Sequence, residues 1–447
     1  MTTPPQVGNA FDALRNALEA RAPGAWELYR KSADSRELGA APALRRHSAR
    51  REEGWAARWS ESGSLRFAAA TGPDQLRLAL DQAAAVPSAP EEPPDWPGQP
   101  AKAPPDAVSM AAPADGSSPA EPPELFDALT NALSSASRGE ARLVGLTVRR
   151  GRIEERIGNA AGLDVAQAQT FMDGLATASA RRGARAHESR LFFRWDSSST
   201  SSSPSSSTSP SQPDVDALAR RLADAATLPL SDRPTPFASG QWLLDPGVAA
   251  ALLAALAPAF RARRPPRLAG SGPASIPVRI VDDATGDAPF DGEGVPTRRV
   301  VLFDGGEWTG RLEDLRSAKR SGRRPTGHGV RPSFRTPPRA APRRLFFEAS
   351  DPSPAAALLA RVKRGLFASA VTAPVRVDLE HDRYEIEFTG ISVVGGRAQG
   401  EVGGARAAGR VSELLRRIAG VGEDPAFFPL PYLVGSPTIL IERASFE

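Results

Sequence analysis

Cysteine is absent from the 447-residue chain, which excludes disulfides and thiolate metal ligands and leaves the redox compartment open. Histidine is scarce, with four residues in total, so each can be considered as a candidate in turn. Long apolar runs are also lacking. No uncharged stretch approaches the ~20 residues that span a membrane, and the N-terminal residues MTTPPQVGNAFDAL contain no signal-peptide core. These absences lead us to expect a soluble, cytoplasmic protein.

Lysine is the rare cation of this chain. Of 56 basic residues, only Lys31, Lys102, Lys319 and Lys363 are lysine, which leaves 52 arginines. The formal net charge is nevertheless only +4. Together with 43 prolines, this bias is more typical of genome composition than of a nucleic-acid-binding surface.

Length and composition predict a folded protein with more than one domain. A hydrophobic content of 40% and a charged content of 24% are typical of globular chains. Because 447 residues are too many for one hydrophobic core, we expect two domains. We place an α+β domain at residues 1–232 and, at 233–447, an antiparallel β-rich domain of the sandwich or barrel type that carries helices.

Hydrophobic periodicity indicates the helices and strands of the first half. Apolar residues at helical spacing predict helices at 10–20, 73–85, 124–137 and 214–226. Alternation of apolar and polar residues predicts strands at 26–35, 50–70, 141–150, 152–163 and 191–195. Residues 164–180 are compatible with either a strand or a helix.

Two segments lack the composition of a core. Residues 86–123 are dense in Pro, Ala, Ser and acidic residues. Such a segment buries too little surface to offset the entropy of ordering, so we expect a linker or a surface excursion. Residues 197–213 are almost pure Ser, Thr and Pro, which predicts a disordered loop at the tip of a hairpin.

The second half is rich in predicted strands. They fall at 278–282, 300–303, 344–348, 375–379, 384–388, 390–394 and 438–442, with a hairpin turn at Gly395 and Gly396. A nearly all-apolar helix is predicted at 246–260. Further helices are predicted at 312–320, 353–364 and 411–419, the second of them stopped by Gly365.

One stretch combines several local signals. Residues 289–306, PFDGEGVPTRRVVLFDGG, form a glycine-rich loop that contains two carboxylates and continues into a β-branched run and an Asp-Gly-Gly turn. A basic run, residues 316–344, follows closely. The order FD-x-EGV-x-T-x-R, A-x-K-x-G and TGH resembles the TldD/PmbA (TldE) family. The matching residues are Phe290, Asp291, Glu293, Gly294, Val295, Thr297, Arg298, Ala318, Lys319, Gly322, Thr326, Gly327 and His328.

The resemblance implies one of two kinds of subunit. TldD-like members of the family are zinc peptidases with an HExxxH helix, whereas TldE/PmbA-like members lack that motif and pair with the first kind. By order along the chain, the zinc helix should fall at 246–260, PGVAAALLAALAPAF, which contains no His, Glu or Cys. The resemblance therefore implies a metal-free, TldE/PmbA-like subunit that is inactive alone, with zinc in a TldD-like partner.

The same resemblance implies a role in proteolysis and peptide processing. The expected assembly is a heterodimer with a TldD-like subunit, or a homodimer, that encloses unfolded peptide substrates. Neither a membrane nor nucleic acid is expected as a partner. The family's TGD-x-S loop is missing here, and residues 384–389, YEIEFT, stand at its position.

Six residues form a candidate structural or interface motif, and no catalytic or metal-binding residue is assigned. Carboxylates beside glycines commonly bind backbone N–H groups in turns, although they could also be a general acid and base. A lone imidazole without a carboxylate nearby in sequence favours a structural or subunit-interface role. The six residues are Asp291, Glu293, Gly294, Thr326, Gly327 and His328.

The other histidines offer no pattern. His187 begins an HE dipeptide without a second imidazole at the required spacing, and His47 and His381 are expected on the surface, His47 in a loop. Two alternatives for the function remain open. The basic run has ten basic residues and no acid, so it could bind an acidic partner or nucleic acid, although Phe334 is its only aromatic residue. The chain could also be a self-contained hydrolase that uses Asp291, Glu293 and His328.

Overall fold

The computed structural model describes residues 4–41, 44–87, 90–99, 122–195, 215–230, 235–261, 278–285, 288–430 and 432–447. The predicted Ser-rich loop at 197–213 and most of the predicted linker, residues 100–121, lie outside these residues. None of the described helices combines the length and the apolarity that crossing a membrane requires.

The architecture is α+β. The described helices are α1 (Pro4–Arg21), α2 (Pro73–Ala85), α3 (Pro122–Ala136), α4 (Val215–Thr227), α5 (Pro246–Leu256), α6 (Leu315–Ser321), α7 (Ala355–Ala360) and α8 (Val411–Arg416), with short 3₁₀ helices at Leu228–Leu230 and Ala257–Arg261. The strands of the first half are β1 (Trp26–Ala41), β2 (Leu44–Glu61), β3 (Ser64–Ala70), β4 (Ala141–Asn159), β5 (Asp164–Arg182) and β6 (Arg185–Trp195).

The second half contains the remaining strands. They are β7 (Ser239–Leu244), β8 (Val278–Asp283), β9 (Arg299–Asp304), β10 (Glu307–Trp308), β11 (Gly329–Val330), β12 (Arg339–Ala340), β13 (Arg344–Ala349), β14 (Arg364–Val371), β15 (Arg376–Asp378), β16 (Arg383–Val394), β17 (Arg397–Gly409), β18 (Ile418–Val421), β19 (Ala426–Leu430), β20 (Tyr432–Ser436) and β21 (Ile439–Ser445).

The first half forms one antiparallel sheet of six strands in the order β3-β2-β1-β4-β5-β6. Alternate residues of a strand point to opposite faces. On β2, Trp55, Ala57 and Trp59 pack with α1 and α2 in one core. Ala56 joins a different core that includes Phe290 and Phe334 of the second half. The sheet therefore has helices on one face and C-terminal segments on the other.

The second half contains two larger sheets and a two-stranded ribbon, β11-β12. One sheet has the order β10-β9-β8-β13-β20-β19, and the other β15-β16-β14-β7-β21-β18, with β17 paired to β16. Most strand pairs are antiparallel, as predicted, but β13 with β20 and β14 with β7 are parallel. Buried residues of both sheets and of α5 form one continuous hydrophobic core.

Several element boundaries differ from the prediction. The predicted helix at 353–364 is wrong in its second half, because α7 ends at Ala360 and Gly365 lies within β14. A Cβ atom at Gly365 would lie 1.9 Å from the carbonyl oxygen of Gln241 on the paired strand β7. Close approach of two backbones, rather than the end of a helix, therefore requires this glycine.

Local chemistry explains a second boundary. Helix α6 begins at Leu315, three residues later than predicted, because Asp314 caps it and shares a capping box with Ser317. Its predicted end is close to the observed one, since Gly322 adopts the left-handed conformation at φ 64°. The predicted helix at 411–419 is shorter than expected, and its last residues belong to β18. The ambiguous segment 164–180 is a strand, β5.

Candidate functional site

Asp291 organises the glycine-rich loop through backbone hydrogen bonds. Its Oδ1 accepts from the N–H groups of Glu293 (2.8 Å) and Val295 (3.0 Å). Its Oδ2 accepts from the N–H of Gly329 (2.7 Å), and the N–H of Gly292 donates to the Gly329 carbonyl (2.7 Å). Burial raises the pKa of Asp291, while these three donors act in the opposite direction. The carboxylate thus joins the FD-x-EGV loop to the residues that follow TGH.

Both glycines of the motif occupy positions where a side chain would be strained. Gly294 has φ 78°, and a Cβ there would lie 2.2 Å from Leu163 Cδ2 at the β4–β5 turn. Gly327 has φ 77°, and a Cβ there would lie 2.4 Å from the carbonyl oxygen of Pro296. Gly294 therefore permits close contact with the β4–β5 turn, and Gly327 permits close contact between two segments of the motif.

Glu293 is fully buried beside the start of α6. Its Oε2 accepts from the N–H of Leu315 (2.8 Å), the first residue of that helix. Its Oε1 lies 2.8 Å from Arg58 Nη2 on β2. Burial raises the pKa of Glu293 to about 8, against the opposing attraction of Arg58, and nearby carboxylates including Asp291 and Asp314 raise it further.

A buried group of charges connects this loop with the first sheet. Arg58 donates twice to Glu27 on β1, from Nε (3.1 Å) and from Nη2 (2.6 Å). Arg331 donates to the same carboxylate and, through Nε, to the carbonyl of Gly292 (2.6 Å). Burial opposes ionisation of Glu27, but the attraction of Arg331 and Arg58 holds its pKa below the usual value. We call Glu27, Arg58, Glu293 and Arg331 the buried ion cluster.

His328 has a carboxylate partner that is distant in sequence. Its Nε2 lies 3.0 Å from Asp282 Oδ1 on β8, and its Nδ1 lies 3.0 Å from Thr326 Oγ1. The same Nδ1 lies 2.9 Å from the backbone carbonyl oxygen of Thr326, which can only accept a hydrogen bond. Asp282 also accepts from the backbone N–H of Arg343 (3.0 Å). His328 and Asp282 are both fully buried.

The Thr–His–Asp series has the residue types of a catalytic triad but not its accessibility. The Thr326 hydroxyl already donates to the carbonyl of Glu313 (3.1 Å) and accepts from the Glu313 N–H (2.9 Å). The imidazole of His328 and the carboxylate of Asp282 have no exposed surface, so a substrate could not reach the imidazole. This arrangement is therefore suited to fixing β8, the TGH segment and the start of α6 relative to one another.

The motif also docks directly onto β5 of the first sheet. Gln167 Oε1 accepts from the N–H of Phe290 (3.3 Å), and Gln167 Nε2 donates to the Phe290 carbonyl (3.2 Å). Arg343 Nη1 donates to the same carbonyl (2.9 Å). The phenyl ring of Phe290 is buried among Tyr29, Ile157 and other apolar residues. Polar and apolar contacts thus hold the glycine-rich loop between the two halves of the chain.

The basic run is not a single solvated surface. Arg331 and Arg343 are used in the contacts above, and Arg316 and Lys319 contact acidic residues of the segment 90–99. Arg316 is exposed although it is paired with Glu91, and five other arginines of the run are exposed: Arg320, Arg323, Arg324, Arg335 and Arg339. The exposed charge is therefore about half of what the sequence alone suggested.

The remaining histidines lie apart from the motif. His187 Nδ1 lies 3.3 Å from Glu401 Oε2 on β17, a contact that no sequence pattern predicted. His381 is largely exposed and lies 2.8 Å from Asp378. His47 is exposed as predicted, but it lies within β2 rather than in a loop. The segment 384–389, at the position of the family's TGD-x-S loop, is an internal part of β16.

Two observations bear on a metal. Helix α5 coincides with the predicted apolar helix, and its buried side chains are Pro, Val, Ala and Leu, none of which can ligate zinc. Across the described residues, no three side chains of His, Asp or Glu are grouped so that they could hold a metal ion. The described residues of this chain do not fit a zinc site.

Sequence reasoning missed the partners that matter most. Glu27 and Arg58 alternate with buried tryptophans on β1 and β2, so they point to the opposite face of the sheet. Charged residues on a face that is itself covered are rarely left unpaired, and this pattern could have predicted a buried ion pair. Asp282 gave a similar signal, as a carboxylate at the end of a run of buried β-branched residues.

The fold and the buried motif define a class of protein: a two-part α+β chain whose halves are joined through a glycine-rich loop. TldE from Thermococcus kodakarensis has the same fold, with a TM-score of 0.81, 19% identity and coverage of 98% of this chain and 99% of that chain. A proposed modulator of a DNA gyrase from Thermotoga maritima matches with a TM-score of 0.73, 19% identity and coverage of 98% and 100%. A proposed modulator of DNA gyrase from Bacteroides thetaiotaomicron matches with a TM-score of 0.74, 14% identity and full coverage of both chains, 100% and 100%.

Comparison of the sequence with family models adds a match to the C-terminal part of the chain. A family model for the PmbA/TldA metallopeptidase C-terminal domain matches residues 241–447. No curated protein sequence matches the chain. The family-model match confirms the predicted resemblance to the TldD/PmbA family over residues 241–447, and the structural matches confirm the predicted fold class.

Proposed function

We propose that the chain is the non-catalytic, TldE/PmbA-like subunit of a TldD/TldE-type zinc metallopeptidase complex that acts in proteolysis and peptide processing. In this proposal a TldD-like subunit is the partner in a heterodimer and carries the zinc. A homodimer is the alternative assembly. The substrate is an unfolded peptide, the location is the cytoplasm, and residues 1–232 and 233–447 are the two domains.

The observation that carries the proposal is the chemistry of α5. The family's zinc helix should lie here, and Val248, Leu252, Leu253 and Leu256 are instead buried in the hydrophobic core. An aliphatic helix packed on most of its surface can neither ligate zinc nor orient a water molecule. The aliphatic character of α5 supports our placing the hydrolytic groups of the peptidase in another polypeptide.

The test is reconstitution with a TldD-like protein that carries HExxxH and is encoded in the same genome. We expect the two chains to co-purify, and we expect zinc-dependent cleavage of an unfolded peptide by the mixture but not by this chain with added zinc. Changing the Glu of the partner's HExxxH to Gln should preserve assembly and abolish cleavage. Zinc-dependent cleavage by the isolated chain would reject the proposal, as would failure of the two chains to associate.

One observation keeps a second candidate function open. Five exposed arginines of the basic run could bind an acidic partner or nucleic acid, and two proteins of this fold are described as proposed modulators of DNA gyrase. Because such binding releases counterions, its affinity should fall steeply between 50 and 200 mM salt, as expected from roughly five phosphate contacts. A flat salt response, or no binding to duplex DNA at low salt, would remove this alternative.

A further inference from the structure

Residues 90–99, PEEPPDWPGQ, belong to the first half of the chain and contact α6 of the second half, and we call them the acidic strap. The strap has no helix or strand. The N–H of Glu91 donates to the carbonyl of Gly63 (2.9 Å). Near the other end, Asn159 Nδ2 donates to the carbonyl of Pro97 (2.9 Å), and Gln99 Oε1 accepts from the N–H of Asp164 (3.1 Å). The strap is thus fixed near both ends to the first half.

The centre of the strap lies on the basic side of α6. Glu91 pairs with Arg316, and Lys319 Nζ donates to the carbonyl of Pro93 (2.7 Å). The same ammonium lies 3.5 Å from Glu92 and 3.3 Å from Asp95. Three carboxylates of the strap therefore face two cations of one helix, so charge complementarity explains where the strap lies.

Trp96 places the strap next to the buried ion cluster. The guanidinium of Arg58 lies 5.0 Å from the centre of the Trp96 ring, within the range of a cation–π contact. The indole nitrogen is buried without a hydrogen-bond partner among the described residues. Burying an N–H group without an acceptor costs free energy. We would expect a segment that never leaves its site to have an acceptor for this group.

Other features also make the strap easy to displace. Glu92 and Asp95 are largely exposed, so their attraction to Lys319 is screened by solvent and salt. The four prolines of the segment, Pro90, Pro93, Pro94 and Pro97, have no N–H to donate, and they keep the free segment close to an extended conformation. The strap can therefore leave α6 without breaking a ladder of backbone hydrogen bonds.

We propose that α6 and Arg58 form a binding site for an acidic, proline-containing, extended peptide, and that the acidic strap is the internal ligand that occupies it. Arg316 and Lys319 bind the carboxylates, Lys319 also binds a backbone carbonyl, and Arg58 stacks on an aromatic side chain. A peptide of the same chemistry from another protein would bind after displacing the strap. The proposal does not depend on the partner or on peptidase activity.

The physical consequence is competition within the chain. Because the strap is tethered to its site, its effective concentration there is about millimolar. A free peptide has to compete with that concentration. The apparent affinity for a free peptide is reduced by the fraction of molecules whose site is open. Removal of the strap should therefore strengthen binding in trans.

The experiment measures binding of a fluorescein-labelled peptide, PEEPPDWPGQ, by anisotropy at 50 mM salt. The proteins are the full chain and a variant in which residues 90–99 are replaced by ten Gly and Ser residues. We expect the variant to bind at least tenfold more tightly than the wild type. On the variant background, the substitutions R316E and K319E should abolish binding, while R152E and R190E, which reverse two exposed arginines elsewhere, should leave it unchanged.

The proposal is overturned if the strap-replaced variant binds the peptide no better than the wild type, or if R316E with K319E leaves its affinity intact. Should the replacement prevent folding, the variant E91Q/E92Q/D95N keeps the backbone and Trp96 and removes only the charges. It should bind the peptide at least threefold more tightly than the wild type. Equal affinity of that variant and the wild type would also refute the proposal.

Discussion

The substitution Glu27→Gln tests whether the buried ion cluster holds the two halves of the chain together. Glu27 is 1% exposed and accepts two hydrogen bonds from Arg58 and one from Arg331. Glutamine keeps the shape and one acceptor oxygen, but it removes the charge and directs an NH₂ group toward two guanidinium groups. Two buried cations, Arg58 and Arg331, would then lose the carboxylate that they share.

The magnitude follows from the burial of the partners. Removing one member of a buried, hydrogen-bonded ion group typically costs about 3–5 kcal/mol, because the remaining charges stay desolvated and unpaired. The matched control is Glu188→Gln, which removes a carboxylate that lies 3.3 Å from Arg190 with both side chains more than half exposed. Such exposed pairs contribute about 0–1 kcal/mol.

The assay is urea unfolding followed by tryptophan fluorescence, with Trp55 and Trp59 reporting on the sheet that carries Glu27. With a slope of about 3 kcal/mol/M, the expected loss for E27Q lowers the midpoint by about 1 M or more. Amide hydrogen exchange should increase in both β1 and residues 289–297, since the cluster joins them. An E27Q midpoint equal to that of E188Q would refute the view that the cluster stabilises this contact.

Two further predictions concern pH and backbone packing. Glu293 has a pKa of 4.5 as a free side chain and about 8 in the folded chain. The stability gained by keeping it protonated is therefore present below pH 4.5 and lost as pH rises through about 8, so the urea midpoint should fall between pH 5 and 9. E293Q should show a smaller fall, and identical slopes for the two proteins would contradict the assignment. In the second prediction, G365A should lower the free energy of unfolding by about 3 kcal/mol or more, because its Cβ would lie 1.9 Å from the Gln241 oxygen. The control is G404A, because a Cβ at Gly404 on β17 would meet no atom within 4 Å, and it should change the free energy of unfolding by less than about 0.5 kcal/mol. If the thermal melts of G365A and G404A coincide, the backbones of β7 and β14 can separate at little cost.

Local patterns in the sequence determined most of the elements. The alternation of Trp55, Ala57 and Trp59 predicted β2, and the apolar spacing with Pro at the first turn predicted α2 with the bounds that the structure has. The order of motif residues predicted the family, and the composition of residues 246–260 predicted an aliphatic helix. These signals are local, because the period of a strand or helix and the φ preference of a glycine depend on residues close in sequence.

The tertiary structure alone decided how the parts are used. Gly365 lies in a strand because Gln241, over a hundred residues earlier, requires a close backbone contact. His328 pairs with Asp282, and Glu293 lies beside Arg58. About half of the basic run is also neutralised or buried by residues far away in sequence, as Arg331 is by Glu27. Which buried charges pair depends on which segments the fold brings together, and the local periodicity of the sequence does not predict those pairs. The sequence determined the kind of chain this is, and the packing of its two halves decided which of its charged residues remain available.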